Sequence, residues 1–235
     1  MSMFSRLKSL FAKEAKGKTL VPDAKLDLLS LKDMAKGIQG VFREQLEPLG
    51  FKAKGTSFIR QRCPEAHDWI GIALLTYDKY EKNAPFFRAD IHVGIHSEPV
   101  EQLFAQLNDR TYQKSLPTFN RLIGYVMPQK RPLKWELRRE RFPTEVAQEM
   151  VEKTLNYGLT YTEQFNSWEA IYAENARLEV RPLIRGPIIK YLMGKPEEAV
   201  AILEAELARI QAQTDPGAEH YRKLANALID MCKRA

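Results

Sequence analysis

The hydrophobic repeat of this chain changes period twice, and that change constrains the fold more than any other feature of the sequence. From Ser30 to Leu46 the apolar residues Leu31, Met34, Ile38, Val41, Phe42 and Leu46 recur at helical spacing. A residue that carries a hydroxyl, Ser30, precedes them as an N-cap, with Asp33 three positions on. Pro48 and Gly50 end the run. After Gly50 the period becomes two. Phe51–Gly55 and Thr56–Arg62 read as short strands around a Gly55 turn, and Trp69–Tyr77 reads as a nearly all-apolar strand covered on both faces. In the next strand, Phe86–His96, Phe87, Ala89, Ile91, Val93 and Ile95 face one way, while Arg88, Asp90, His92 and His96 face a wet side.

A short helix follows over Glu98–Leu107. Phe119–Met127 and Leu133–Arg139 then read as two strands around the turn 128–132, with Trp135 directed inward. From Pro143 onward only the helical period remains, with Gly158 breaking or capping the first helix. Strands in succession followed by helices in succession predict an α+β fold. It consists of an antiparallel β-sheet flanked by helices, with a C-terminal all-helical extension. Three segments are expected: a basic amphipathic N-terminal helix and linker (1–22), an α+β domain (23–178) and a helical hairpin with a final helix (179–235). The N-terminal helix either docks on a membrane surface or packs on its own domain, and the second is the plainer reading.

Composition bounds the function. Apolar residues make up 44% of 235 and aromatic residues 10%, which suits a chain that buries a core. Its only cysteines are Cys63 and Cys232. They form no CxxC pair, and with no secretory leader pattern they predict a cytoplasmic protein. No apolar run approaches the roughly 20 residues that span a bilayer. The net charge of +6 favours acidic partners only weakly, because charges of both signs are interspersed.

The segment Leu46-Glu-Pro-Leu-Gly-Phe-Lys-Ala-Lys-Gly-Thr-Ser-Phe-Ile-Arg60 resembles the opening motif of a bacterial family catalogued as domain of unknown function 4304. In that family a "lgFkkkg" segment ends a helix and an "FyR" strand follows. Asp90-Ile-His-Val-Gly-Ile95 and Tyr157-Gly-Leu-Thr160 are similar to the family's later "nlGi" and "yGlp" segments. The resemblance covers roughly residues 30–175. It implies a compact α+β domain with an antiparallel sheet and assigns no residue a role. Tyr191, Gly194, Ala199 and Leu203 have part of the spacing of a tetratricopeptide repeat, but one partial repeat has no neighbour to stack on.

No catalytic signature, metal set or cofactor motif is legible. There is no phosphate loop, dinucleotide fingerprint or nucleophile elbow. His92 and His96, if on one strand, lie about 13 Å apart, too far to share one metal ion. Cys63 with His67 in a loop forms a conceivable thiol–imidazole pair, and with the Asp90/His92/His96 face it is the whole basis for an enzyme reading. A basic stretch, Lys130, Arg131, Lys134, Arg138, Arg139 and Arg141, is the basis for a nucleic-acid reading, although Trp135 turns away from it and Glu136 and Glu140 dilute it. The preferred expectation is a non-enzymatic protein-binding protein with no cofactor. Tyr77, Tyr80, Tyr112, His92 and His96 are its candidate contact residues. By analogy of class it would be an immunity or antitoxin-type partner in a bacterial conflict system.

Overall fold

The computed structural model describes residues 28–76, 86–178 and 184–234. The expected basic helix at the N-terminus and the candidate contacts Tyr77 and Tyr80 lie outside these residues. The first described helix, α1 (Leu31–Leu46), begins at Ser30, whose hydroxyl accepts from the Asp33 amide at 3.1 Å. It buries Met34, Ile38, Val41, Phe42 and Leu46 and leaves Leu31 exposed. A 3-10 turn over Glu47–Leu49 then ends at Gly50, with φ +87°, a conformation in which glycine has no Cβ to clash.

A meander of antiparallel strands follows: β1 (Lys52–Lys54), β2 (Ser57–Cys63), β3 (Ala66–Leu75) and β4 (Phe86–His96). The β1–β2 hairpin turns through Gly55 and Thr56, since Lys54 pairs with Ser57. After β4 come α2 (Glu98–Leu107), β5 (Phe119–Leu122), α3 (Ile123–Val126) and β6 (Trp135–Arg138). Among the described residues the sheet has six strands, each antiparallel to its neighbours, and with the helices it makes the expected α+β fold. Its far edge differs from the expected hairpin. Strands β5 and β6 do not pair with each other. Both pair with β4, β5 against His92–Ile95 and β6 against Phe86–Ala89, so they lie end to end on one edge.

That arrangement corrects the strand expected over 119–127. At Leu122 the remaining edge of β4 is about to be taken by Trp135, and the chain leaves the sheet as α3. Gly124 there packs directly against the backbone at Arg131 and Leu133.

The register sorts the side chains into two faces. Phe58, Ile70, Ile72, Val93, Ile91, Ala89, Phe119, Trp135 and Leu137 point to one side, where helices cover them. Phe42 of α1 stacks on Phe58 with ring centroids 6.0 Å apart. The helices after the sheet are α4 (Thr144–Lys153), α5 (Thr160–Thr162) and α6 (Trp168–Leu178). Gly158 does not break the first of them. The chain runs from α4 into α5 through a π-helical turn over Thr154–Leu159, and a Cβ at Gly158 would stand 2.8 Å from Val93 Cγ1. Glycine is there so that the helix can lie against the sheet. Phe165 closes this layer edge-on to both Phe119 and Tyr161, at 5.1 and 5.0 Å.

The chain ends in α7 (Arg185–Leu192), α8 (Pro196–Arg209) and α9 (Pro216–Cys232). Ile184, Ile188, Leu203 and Leu228 join the same buried cluster as the sheet residues. Arg185 fixes the junction. Its guanidinium meets the buried Glu101 carboxylate at 2.7 and 2.9 Å and stacks over Phe104 at 4.1 Å. Among the described residues no helix is long and apolar enough to cross a membrane.

Candidate functional site

The second face of the sheet carries Lys52, Lys54, Ile59, Gln61, His67, Trp69, Gly71, His92 and His96, as the strand register dictates. The segment 108–118 crosses part of it as a strap. The Trp69 indole donates to the Ser115 carbonyl at 2.8 Å and lies over Gly71, where a Cβ would overlap the ring. His96 holds the strap at two points. Its Nδ1 donates to the Leu116 carbonyl at 2.6 Å, which places the ring proton on Nδ1 and leaves Nε2 to accept from the Tyr112 hydroxyl at 2.8 Å. Thr118 ties the strap back into the sheet, its amide donating to the Ile95 carbonyl at 2.7 Å.

The expected wet face is therefore only partly wet. His96 is 2% exposed and Asp90 5%, because the strap covers one and Arg88 pairs with the other at 2.8 Å. Burial holds the His96 imidazole below its ordinary range, and it pushes the Tyr112 phenol up to about 12 with Glu98 and Glu101 adding to the shift. Both groups are neutral at pH 7.

Beside the strap a cleft of about 530 Å³ crosses the strand ends. Its floor is formed by Ile59, Gln61, His67 and His96, one wall by Tyr112, Lys114 and Glu98, and its mouth by Lys52, Lys54 and Arg60 at the sheet edge. Its charge is strongly positive, with Lys114 offsetting Glu98 at 3.7 Å. Arg60 is occupied elsewhere. With Arg62 it grips the wholly buried Asp68, at 2.6 and 2.5 Å, on the helix side of the sheet. Lys52 and Lys54 form no ion pair among the described residues. Ala53 separates them on β1, so both project to the cleft face.

The structure distributes the expected site residues unevenly. It brings His96 and Tyr112 together and adds His67, whose ring lies edge-on to His96 at 5.8 Å. It separates His92 from His96, since His92 donates to Asn120 Oδ1 at 2.8 Å, opposite a different part of β3. Among the described residues no group of three or more His, Cys, Asp or Glu side chains is placed to hold a metal ion. Cys63 and His67 do not sit in a loop. Pro64 and Glu65 form a tight turn, Cys63 pairs with Ala66, and His67 lies within β3 opposite Gln61. Burial pushes the Cys63 thiol up, the opposite of what a thiolate nucleophile requires.

In the basic stretch Lys130, Arg131, Lys134, Arg138 and Arg141 are exposed. Arg139 instead lies over the Phe87 ring at 4.8 Å and donates to the Leu29 carbonyl. Trp135 is buried as expected, and Phe142 packs on Gly37, so neither aromatic offers a stacking surface beside the cations.

Sequence reasoning missed Lys52, Lys54, Lys114 and Glu98 as site residues. The alternation Lys-Ala-Lys was the available signal, but only the pairing of β1 with β2 shows which side it faces. No family model, curated protein or solved structure matches the chain.

Proposed function

We propose that this chain is a binding protein, without a catalytic role of its own, that recognises another protein through the open face of its sheet. One observation carries the reading: a cationic cleft, open at the exposed β1 edge, whose two mouth lysines form no ion pair among the described residues. An acidic segment of a partner supplies that charge, and charge complementarity of this kind governs association rate and choice of partner. An immunity or antitoxin-type role fits such a protein, as an analogy of class. The neutral, strap-bound His96 and the raised Cys63 thiol support a binding role over an enzymatic one.

The test is cross-linking in the native host followed by reconstitution with the purified partner. A stoichiometric partner is expected whose affinity falls with salt and drops on Lys52→Glu/Lys54→Glu, while Lys130→Glu/Arg131→Glu leaves it unchanged. Recovery of no stoichiometric protein, or a partner indifferent to the β1 lysines, would refute the reading.

A further inference from the structure

We infer that the floor of the cleft is a site for an oxyanion group, a carboxylate or a phosphate, with Lys52 and Lys54 supplying the charge and His67 the directional hydrogen bond. The inference rests on the cleft being the binding site and names the group it takes, whichever molecule bears that group.

His67 supplies the observation that is independent of charge. Its Nδ1 is buried and has no hydrogen-bond partner. A proton on that nitrogen would be a buried donor without an acceptor, a rare and unfavourable state. The ring proton therefore belongs on Nε2, on a ring that lines the cleft. An imidazole held with its proton on Nε2 is a fixed donor. His96 packs beside it but cannot compete for a ligand, because both of its nitrogens are already engaged by Leu116 and Tyr112.

The charge comes from β1. Residues two apart on one strand face stand about 6.6 Å apart, a separation two lysine side chains close easily on one oxyanion. The other cations of the cleft are committed, Arg60 to Asp68 and Lys114 to Glu98. Glu98 also accepts from Gln102 at 3.0 Å, so the one carboxylate in the wall is turned to its own neighbours. A donor on the floor and, at the mouth, two ammonium groups with no ion pair among the described residues describe an oxyanion site.

The site can be tested on the full chain by long-range proton–nitrogen spectra of its histidine rings. Inorganic phosphate and a tetraglutamate peptide are titrated separately, with chloride holding ionic strength constant. Saturable movement of the His67 signals is expected while those of His92 and His220 stay in place. Lys52→Gln/Lys54→Gln is expected to weaken binding about tenfold, and His67→Phe to abolish the preference over chloride. Unchanged melting of these variants shows that the fold is intact; both lysines are exposed, so the double variant isolates the charge.

A response to phosphate alone supports a free oxyanion ligand, and a response to the peptide alone supports a carboxylate carried by an extended segment. A response to both supports the shared chemistry. If neither probe moves His67, or all histidines move together without saturation, the site is refuted. Loss of the protein-partner reading would show separately, as failure to recover a partner with phosphate binding intact.

Discussion

Replacing Asp68 with alanine is expected to destabilise the fold by about 3 kcal/mol, near the lower end of the range for breaking a buried ion pair. Asp68 is wholly buried on β3, and each of its oxygens receives one guanidinium: Oδ2 receives Arg60 Nε at 2.8 Å, and Oδ1 receives Arg62 Nε at 2.7 Å. The arginine side chains retain 25% and 15% of their exposure. Water therefore recovers part of what the substitution removes, which places the effect at the lower end. Arg62 also reaches Thr162 at 3.4 Å, so the disturbance extends to α5. For a chain of this size about 3 kcal/mol corresponds to a fall in Tm of roughly 6–12 °C. Urea denaturation should show a lower midpoint at unchanged slope, since the area exposed on unfolding is the same. Removing all three charges at once, as Asp68→Leu with Arg60→Met and Arg62→Met, should restore most of the loss, because no unpaired charge is left. A single variant that melts within about 1 kcal/mol of the wild type, or a triple variant as unstable as the single one, would show that the pairing is not what holds this end of the sheet.

Other substitutions probe the same architecture. Gly94→Ala would drive a methyl group into the Phe119 carbonyl on β5, and with backbone as the obstacle a loss of about 3 kcal/mol is expected in thermal melts. Arg185→Ala would strand the Glu101 carboxylate, 4% exposed, at the junction with the C-terminal helices, and should lower stability by about 3 kcal/mol in denaturant titrations. Tyr112→Phe leaves His96 Nε2 without its donor; native-state hydrogen exchange should quicken at the Leu116 amide, whose bond to Gln113 lies within the strap, while the β3 amides stay protected.

The His96 imidazole, faced by His67, Glu98, Glu101 and Tyr112, has its folded pKa depressed by burial. Below the unfolded value of 6.5 the unfolded chain takes up a proton that the folded one refuses, so stability is full above that pH and falls beneath it. The fall levels off once the folded pKa is passed. His96→Gln should flatten that portion of the stability curve, and an unaltered curve would assign the dependence to other groups.

What the sequence determined by itself is local. Side-chain period and capping chemistry act within a few residues, so the Ser30 cap, the bounds of α1, the β4 span Phe86–His96, the α2 span Glu98–Leu107 and the inward turn of Trp135 could all be read from the chain alone. Alternation sorts a strand into two faces but does not say which strand lies beside it or what crosses its open side. Only the tertiary structure decided that β5 and β6 share one edge of β4, and that competition is why the strand expected over 119–127 stops at Leu122. Only packing against Val93 explains a glycine that leaves its helix unbroken at position 158. The cleft belongs to the same class of fact. His67 and His96 are 29 positions apart and Lys52 is on a third strand, and they converge because the register of β1, β2, β3 and β4 aligns them beneath a strap whose hold on His96 no local pattern encodes.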